Sequence, residues 1–111
     1  MSYNKVGDVL VAQGNLPEAL KSFRDSLAIR DRLAKADPDN AGWQRDLALS
    51  HGRVTTVLAR QGERAKALEG FQAGRAIIAR LKERSPDNAT LPKDLAWLEA
   101  QIAELEKAAA E

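Results

Sequence analysis

The chain has no cysteine, a single histidine and only 5% aromatic residues. Without cysteine there is no disulfide framework and no thiolate chemistry, and a reducing compartment suits it. A lone histidine leaves no pair of soft ligands for a metal, so neither a metal nor another cofactor is expected. No apolar run approaches the ~20 residues that span a bilayer, so no membrane association is expected. The N-terminus has no basic stretch followed by an apolar core, so no signal peptide is read and a cytoplasmic location is expected. An excess of one charge is also missing. Lys plus Arg is 17 and Asp plus Glu is 16, a net charge of +1 over 111 residues. That balance argues against an acidic tail or a strongly basic nucleic-acid binder.

What the chain does hold favours helix. Ala, Leu, Arg and Glu are plentiful, while the aromatic and β-branched residues that fill strands are few. Hydrophobic content of 44% beside 30% charged residues fits one folded domain rather than a disordered segment. Apolar spacing and turn residues mark five helices. The first runs from Tyr3 to Gln13, and Gly14 ends it by allowing a left-handed backbone. Asn15 caps the second, with Glu18 placed to complete a capping box and Pro17 in the tolerant first turn. This helix runs to about Ala36, with Leu16, Ala19, Leu20, Phe23, Leu27 and Leu33 inward. Asp37-Pro38-Asp39-Asn40 stops it, because the residue before proline is pushed out of helix. The third helix is expected from Ala41 to Arg60, the fourth from Arg64 to Arg84 and the last from about Ala89 to Ala109. Asn88-Ala89-Thr90 spells a glycosylation acceptor but reads as the start of that last helix.

The pattern repeats. Val9 to Phe23 returns at 57–71 with Val, Leu, Gln, Gly, Ala, Leu and Phe in the same places. Gly14 and Gly62, Phe23 and Phe71, and Pro38 and Pro86 are each 48 residues apart. Pro38-Asp39-Asn40-Ala41 returns as Pro86-Asp87-Asn88-Ala89, and Asp46-Leu47-Ala48 as Asp94-Leu95-Ala96. So many identities in one register, without gaps, indicate an internal duplication.

These positions resemble the tetratricopeptide repeat family. Tyr3, Val6-Gly7, Leu10, Ala19, Phe23 and Pro38 meet its pattern, and His51, Val54-Thr55, Leu58, Ala67, Phe71 and Pro86 meet it again. The departures are Leu at the aromatic position, Thr55 for glycine and His51 for the large aromatic. The period is 48 where the family has 34. The excess divides into two sevens, each close to two helical turns, so each apolar stripe drifts by only about 20°. The resemblance therefore implies an all-α, right-handed stack of long antiparallel hairpins, an α-solenoid of five helices. Unit 1 covers about 2–40, unit 2 about 41–88, and a capping helix about 89–109. Ala41 to Leu49 have no counterpart before Ser2, and the chain is expected to be a piece of a longer array.

Catalytic chemistry has little to work with. Asp46, Ser50 and His51 invite a triad reading, but Ser50 and His51 are sequence neighbours pointing about 100° apart on a helix. Half-buried packing is the simpler role for His51, and no enzyme activity is expected. Charge is uneven: residues 41–84 carry nine basic and four acidic residues, and residues 85–111 two basic and six acidic. The basic middle is read as solvated faces and attraction between neighbouring repeats, with nucleic-acid binding as the weaker alternative.

The resemblance implies that the first helix of each pair lines a concave groove for a peptide or partner helix. By position, that groove takes Asn4, Asp8 and Val11, then Arg45, Leu49, Arg53, Thr56 and Arg60, then Lys93, Trp97 and Gln101. Leu49 and Trp97 share a register position and are expected side by side, with Trp97 either a groove anchor or packed on the fourth helix. A protein–protein interaction scaffold or adaptor is the expected function. Its alternative is self-assembly, a homodimer formed through an N-terminal end exposing Val6, Val9 and Leu10.

Overall fold

A computed structural model describes residues 3–110 of the chain, with side chains described over 6–107. Five helices and no strand occur among the described residues: α1 (Tyr3–Ala12), α2 (Leu16–Ala36), α3 (Ala41–Arg60), α4 (Arg64–Arg84) and α5 (Thr90–Ala110). The ends at the four turns fall within about one residue of the positions that the Gly, Pro and Asn residues mark in the sequence.

The turns explain that agreement. Gly14 has φ of 77° and Gly62 φ of 85°, a conformation only glycine adopts at little cost. At each, the next residue's N–H reaches back to a helix carbonyl: Asn15 donates to Leu10 at 2.8 Å and Glu63 to Leu58 at 2.9 Å. The glycine N–H groups donate to Val11 and Ala59, at 2.9 and 3.1 Å. These are Schellman closures, and they satisfy carbonyls that a helix end otherwise leaves bare. The proline turns repeat as faithfully. Asn40 donates to the Asp37 carbonyl and Asn88 to the Ser85 carbonyl, both at 3.1 Å.

Capping differs between helices. The Asn40 side chain accepts from the Trp43 N–H at 3.0 Å, and the Asn88 side chain accepts from Thr90 at 2.9 Å. Asn15 accepts from the Glu18 N–H at 3.4 Å. The expected capping box is only half formed there, for a clear reason. The Asn15 N–H that Glu18 would take is already spent on Leu10.

Each helix packs on the next in the chain. The shortest dimension of the molecule, 21 Å, is about two helix diameters. The core is built from Ala19, Phe23, Ala48, Val54, Val57, Leu58, Ala67, Phe71, Ile78, Leu81, Leu91 and Leu98. Leu33 departs from expectation: it is 40% exposed, and Ala34 is buried in its place. α1 has 10 residues against 20 in α3. From the turn at Gly14, α1 reaches back only to about Asp25 of α2, so Ile29 and Leu33 lie past its end. The same rule sets Leu81 opposite Trp43, and Leu81 is buried.

Candidate functional site

The first helices and α2 enclose a groove of about 480 Å³, lined by Asp8, Val11, Phe23, Arg30, Asp46, Leu49, Ser50, Gly52, Arg53, Thr56, Val57, Arg60, Asp94 and Trp97. This volume lies in the range of ligand pockets. Seven expected groove residues line it: Asp8 and Val11 from α1, Leu49, Arg53, Thr56 and Arg60 from α3, and Trp97 from α5. Leu49 and Trp97 share the groove, as their common register position requires. Arg45 stands beside it, bound to the lining residue Asp94. Lys93 is exposed and Gln101 half-buried, and neither joins the lining. The Asn4 side chain lies outside the described residues.

Trp97 lines the groove and also packs on α4. Its ring meets Phe71 of α4 edge to face, with centroids 5.7 Å apart and planes at 77°. That edge-to-face geometry suits the ring quadrupoles. Its six-membered ring also lies over Gly52 of α3, where a Cβ would meet it at 3.3 Å. The rest stays open, with 45% of the residue exposed. Gly52 is thus a groove residue by its lack of a side chain, which no periodicity marks.

Ion pairs frame the groove. Arg45 on α3 forks onto Asp94 of α5, with Nε to Oδ2 at 2.7 Å and Nη2 to Oδ1 at 3.3 Å. Asp94 is only 14% exposed, so this pair is less screened than a surface one. The hydrogen bonds that Arg45 donates to the Asp94 carboxylate raise its pKa above its ordinary value, more than burial lowers it. Arg53 bonds Asp8 of α1 at 2.7 Å, and its guanidinium lies 5.7 Å from the Phe23 ring centroid. That holds the cation over an aromatic face. Arg30 of α2 reaches Asp46 of α3 at 3.3 Å and bonds the Ser26 hydroxyl at 3.2 Å. Arg75–Glu99 at 3.1 Å and Arg84–Asp39 at 3.7 Å add two more links. Arg45, Arg53, Arg75 and Arg84 of the basic middle are therefore matched by acids from the segments on either side.

The polar residues of the supposed triad do not converge. Asp46 is engaged by Arg30. The Ser50 hydroxyl is buried, 2% exposed as a residue, and has no partner. His51 is half-buried, and burial lowers its pKa, opposed in part by Asp31. Among the described residues, no group of His, Asp and Glu is placed to hold a metal ion. No described helix is long and apolar enough to cross a membrane.

Sequence reasoning missed Phe23, Arg30 and Ser50 as groove residues. Phe23 and Arg30 sit on α2, a second helix, and only the first helices were credited with lining the groove. Asp46 and Asp94 were marked in the sequence, as paired identities of the duplication and Asp46 also as a triad-like acid, but not as partners of Arg30 and Arg45. No protein-family model, curated protein or solved structure matches the chain.

Proposed function

We propose that the chain is a stack of two long tetratricopeptide-like hairpins closed by a fifth helix, and that it works as an interaction scaffold or adaptor. Its groove takes a peptide or a partner helix. The recurrence of both turn types at 48 residues, with the same closing backbone bonds at Asn15 and Glu63 and at Asn40 and Asn88, supports the repeat reading. The single observation that carries the function is that Leu49 and Trp97 both line a groove of about 480 Å³, with Trp97 45% exposed. A half-open aromatic beside aliphatic side chains is the usual anchor of a binding patch. Arg60, an exposed cation on the rim, selects for acidic residues flanking an apolar one. This function requires no cofactor, metal or catalytic residue.

A peptide-array selection followed by titration tests it. Bound peptides should carry an apolar residue with acidic neighbours. Trp97→Ala should weaken them about tenfold or more, in line with loss of an aromatic anchor. Arg60→Ala should weaken them less. Peptides that bind Trp97→Ala as well as the parent chain would rule the groove out as their site.

A further inference from the structure

The lining residues of α3 show which way the groove runs. Asp46, Ser50, Arg53, Val57 and Arg60 all line it, at steps of four, three, four and three. That is one face of a helix followed along its length, so the groove lies along α3 rather than across it. From Asp46 to Arg60 the helix rises about 21 Å. A volume of about 480 Å³ drawn out over about 21 Å averages about 23 Å² in cross-section. An α-helix with its side chains is about 10–12 Å across, at least about 80 Å² in section, so less than a third of it would be seated. An extended strand takes about 4.8 by 10 Å, and about half of it fits. The groove therefore suits an extended chain.

The two halves of the groove differ in charge. In the half nearer the start of α3 the acids are already matched. Arg45 binds both oxygens of Asp94, and Arg30 binds Asp46. Leu49 and Trp97 give this half its apolar surface, and the Trp97 ring lies over Gly52 at its inner limit. The half nearer the end of α3 holds Arg53 and Arg60 against one acid, Asp8. Asp8 is taken by Arg53. Arg60 is exposed and has no ion-pair partner among the described residues. The groove thus offers an apolar seat in one half and one unmatched cation in the other.

We propose that the groove reads an extended peptide carrying an apolar residue and, three to four residues away on one side only, an acidic one. This rests on the reading of the groove as a peptide site and narrows the flanking acids to one side. From Gly52, where the Trp97 ring lies, to Arg60 the helix rises about 12 Å. An extended chain, at about 3.3 Å per residue, covers that in three to four residues, whereas a helical partner needs about eight. An acid on the other side of the apolar residue meets only ion pairs that are already closed, and gains nothing.

Capped seventeen-residue peptides test the spacing. They carry Phe at the centre, one Asp at each other position in turn, and Ala and Gln elsewhere, so that strand and helix are both open to them. NMR titration of the full chain gives each affinity. Asp three or four residues from Phe on one side should bind about three- to fivefold tighter than the peptide without Asp, the range of one exposed charge pair. Asp at the same distances on the other side should bring no gain. With Arg60→Glu the gain should vanish, and a lysine in the peptide at that position should be favoured instead. Equal gains on both sides, a best position eight residues away, or a preference that survives Arg60→Glu overturns the inference, as does a library that fails to bind at millimolar concentration. Where any of the first three occurs and Trp97→Ala still abolishes binding, the groove remains the peptide site. A library that binds Trp97→Ala as it binds the parent chain removes that reading and this one with it.

Discussion

The two copies of the repeat close on the same turn and the same phenylalanine, yet they place their smallest residue on opposite helices. In the first copy Gly7 on α1 lies against Phe23 so closely that a Cβ would enter the ring, and Ser22 stands on α2. In the second copy Thr55 takes the place of Gly7, and Gly70 takes the place of Ser22. A Cβ on Gly70 would fall on the Thr55 methyl group. Viewed alone, Thr55 is a departure from the repeat pattern. Viewed with Gly70, it is accommodated by the missing side chain on the facing helix. The threonine hydroxyl is absorbed by its own helix, donating to the His51 carbonyl at 2.6 Å and close to the Gly52 carbonyl at 3.1 Å. Interiors packed to crystal density allow such exchanges only in pairs.

The copies also differ in cover, and this difference should give the largest effect. Leu81 is 5% exposed and its counterpart Leu33 is 40% exposed. Leu81→Ala should cost about 2 to 5 kcal/mol, the range for emptying a core leucine site. Leu33→Ala should cost about 1 kcal/mol, since less apolar surface is withdrawn from water on folding. Urea denaturation at low protein concentration, where association is negligible, measures both. Equal losses would mean that the shortness of α1 does not set the difference between the two copies.

The exchange of small residues gives an intermediate effect. Gly70→Ala should destabilise, because Thr55 is β-branched and cannot swing its methyl aside within a helix. Overpacking of about 1 to 3 kcal/mol is opposed by about 1 kcal/mol of improved helix propensity, leaving a net loss near 1 kcal/mol. Adding Thr55→Ala should relieve the clash and recover stability relative to Gly70→Ala alone. The coupling in that double-mutant cycle is the readout. Additive single losses would show that the two residues do not compensate one another.

What was legible in the chain follows a physical division. Helix ends were legible because Gly14, Gly62, Pro38, Pro86 and the capping asparagines act through their own backbone, within a few residues. The shared place of Leu49 and Trp97 was legible because the register alone decides it. The ion pairs were not. Arg53 reaches back 45 residues to Asp8 and Arg45 forward 49 to Asp94, so neither follows the 48-residue register. Leu33 was misread as inward because periodicity reports which face is apolar, and whether a neighbour exists to cover that face is a separate matter. The triad reading was set aside on the spacing of Ser50 and His51 alone, and the structure engages these residues otherwise. Ser50 is buried by its face of α3, and Asp46 by its charge is drawn to Arg30 on another helix.

The smallest expected effect again separates the copies, since the only histidine sits in the second one. Burial lowers the His51 pKa below its unfolded value near 6.5, with Asp31 pulling the other way. The folded chain therefore prefers the neutral ring. Below about pH 6.5 the unfolded chain binds the proton more readily, so stability falls as pH drops from there toward the folded pKa. Above pH 6.5 the ring is neutral in both states and makes no pH-dependent contribution. Replacing it by His51→Gln should flatten the stability profile as pH falls below about 6.5. Thermal midpoints across that window, compared between parent and variant, check the sign. A parent chain that grows more stable on acidification through this window would mean that Asp31, rather than burial, governs the ring.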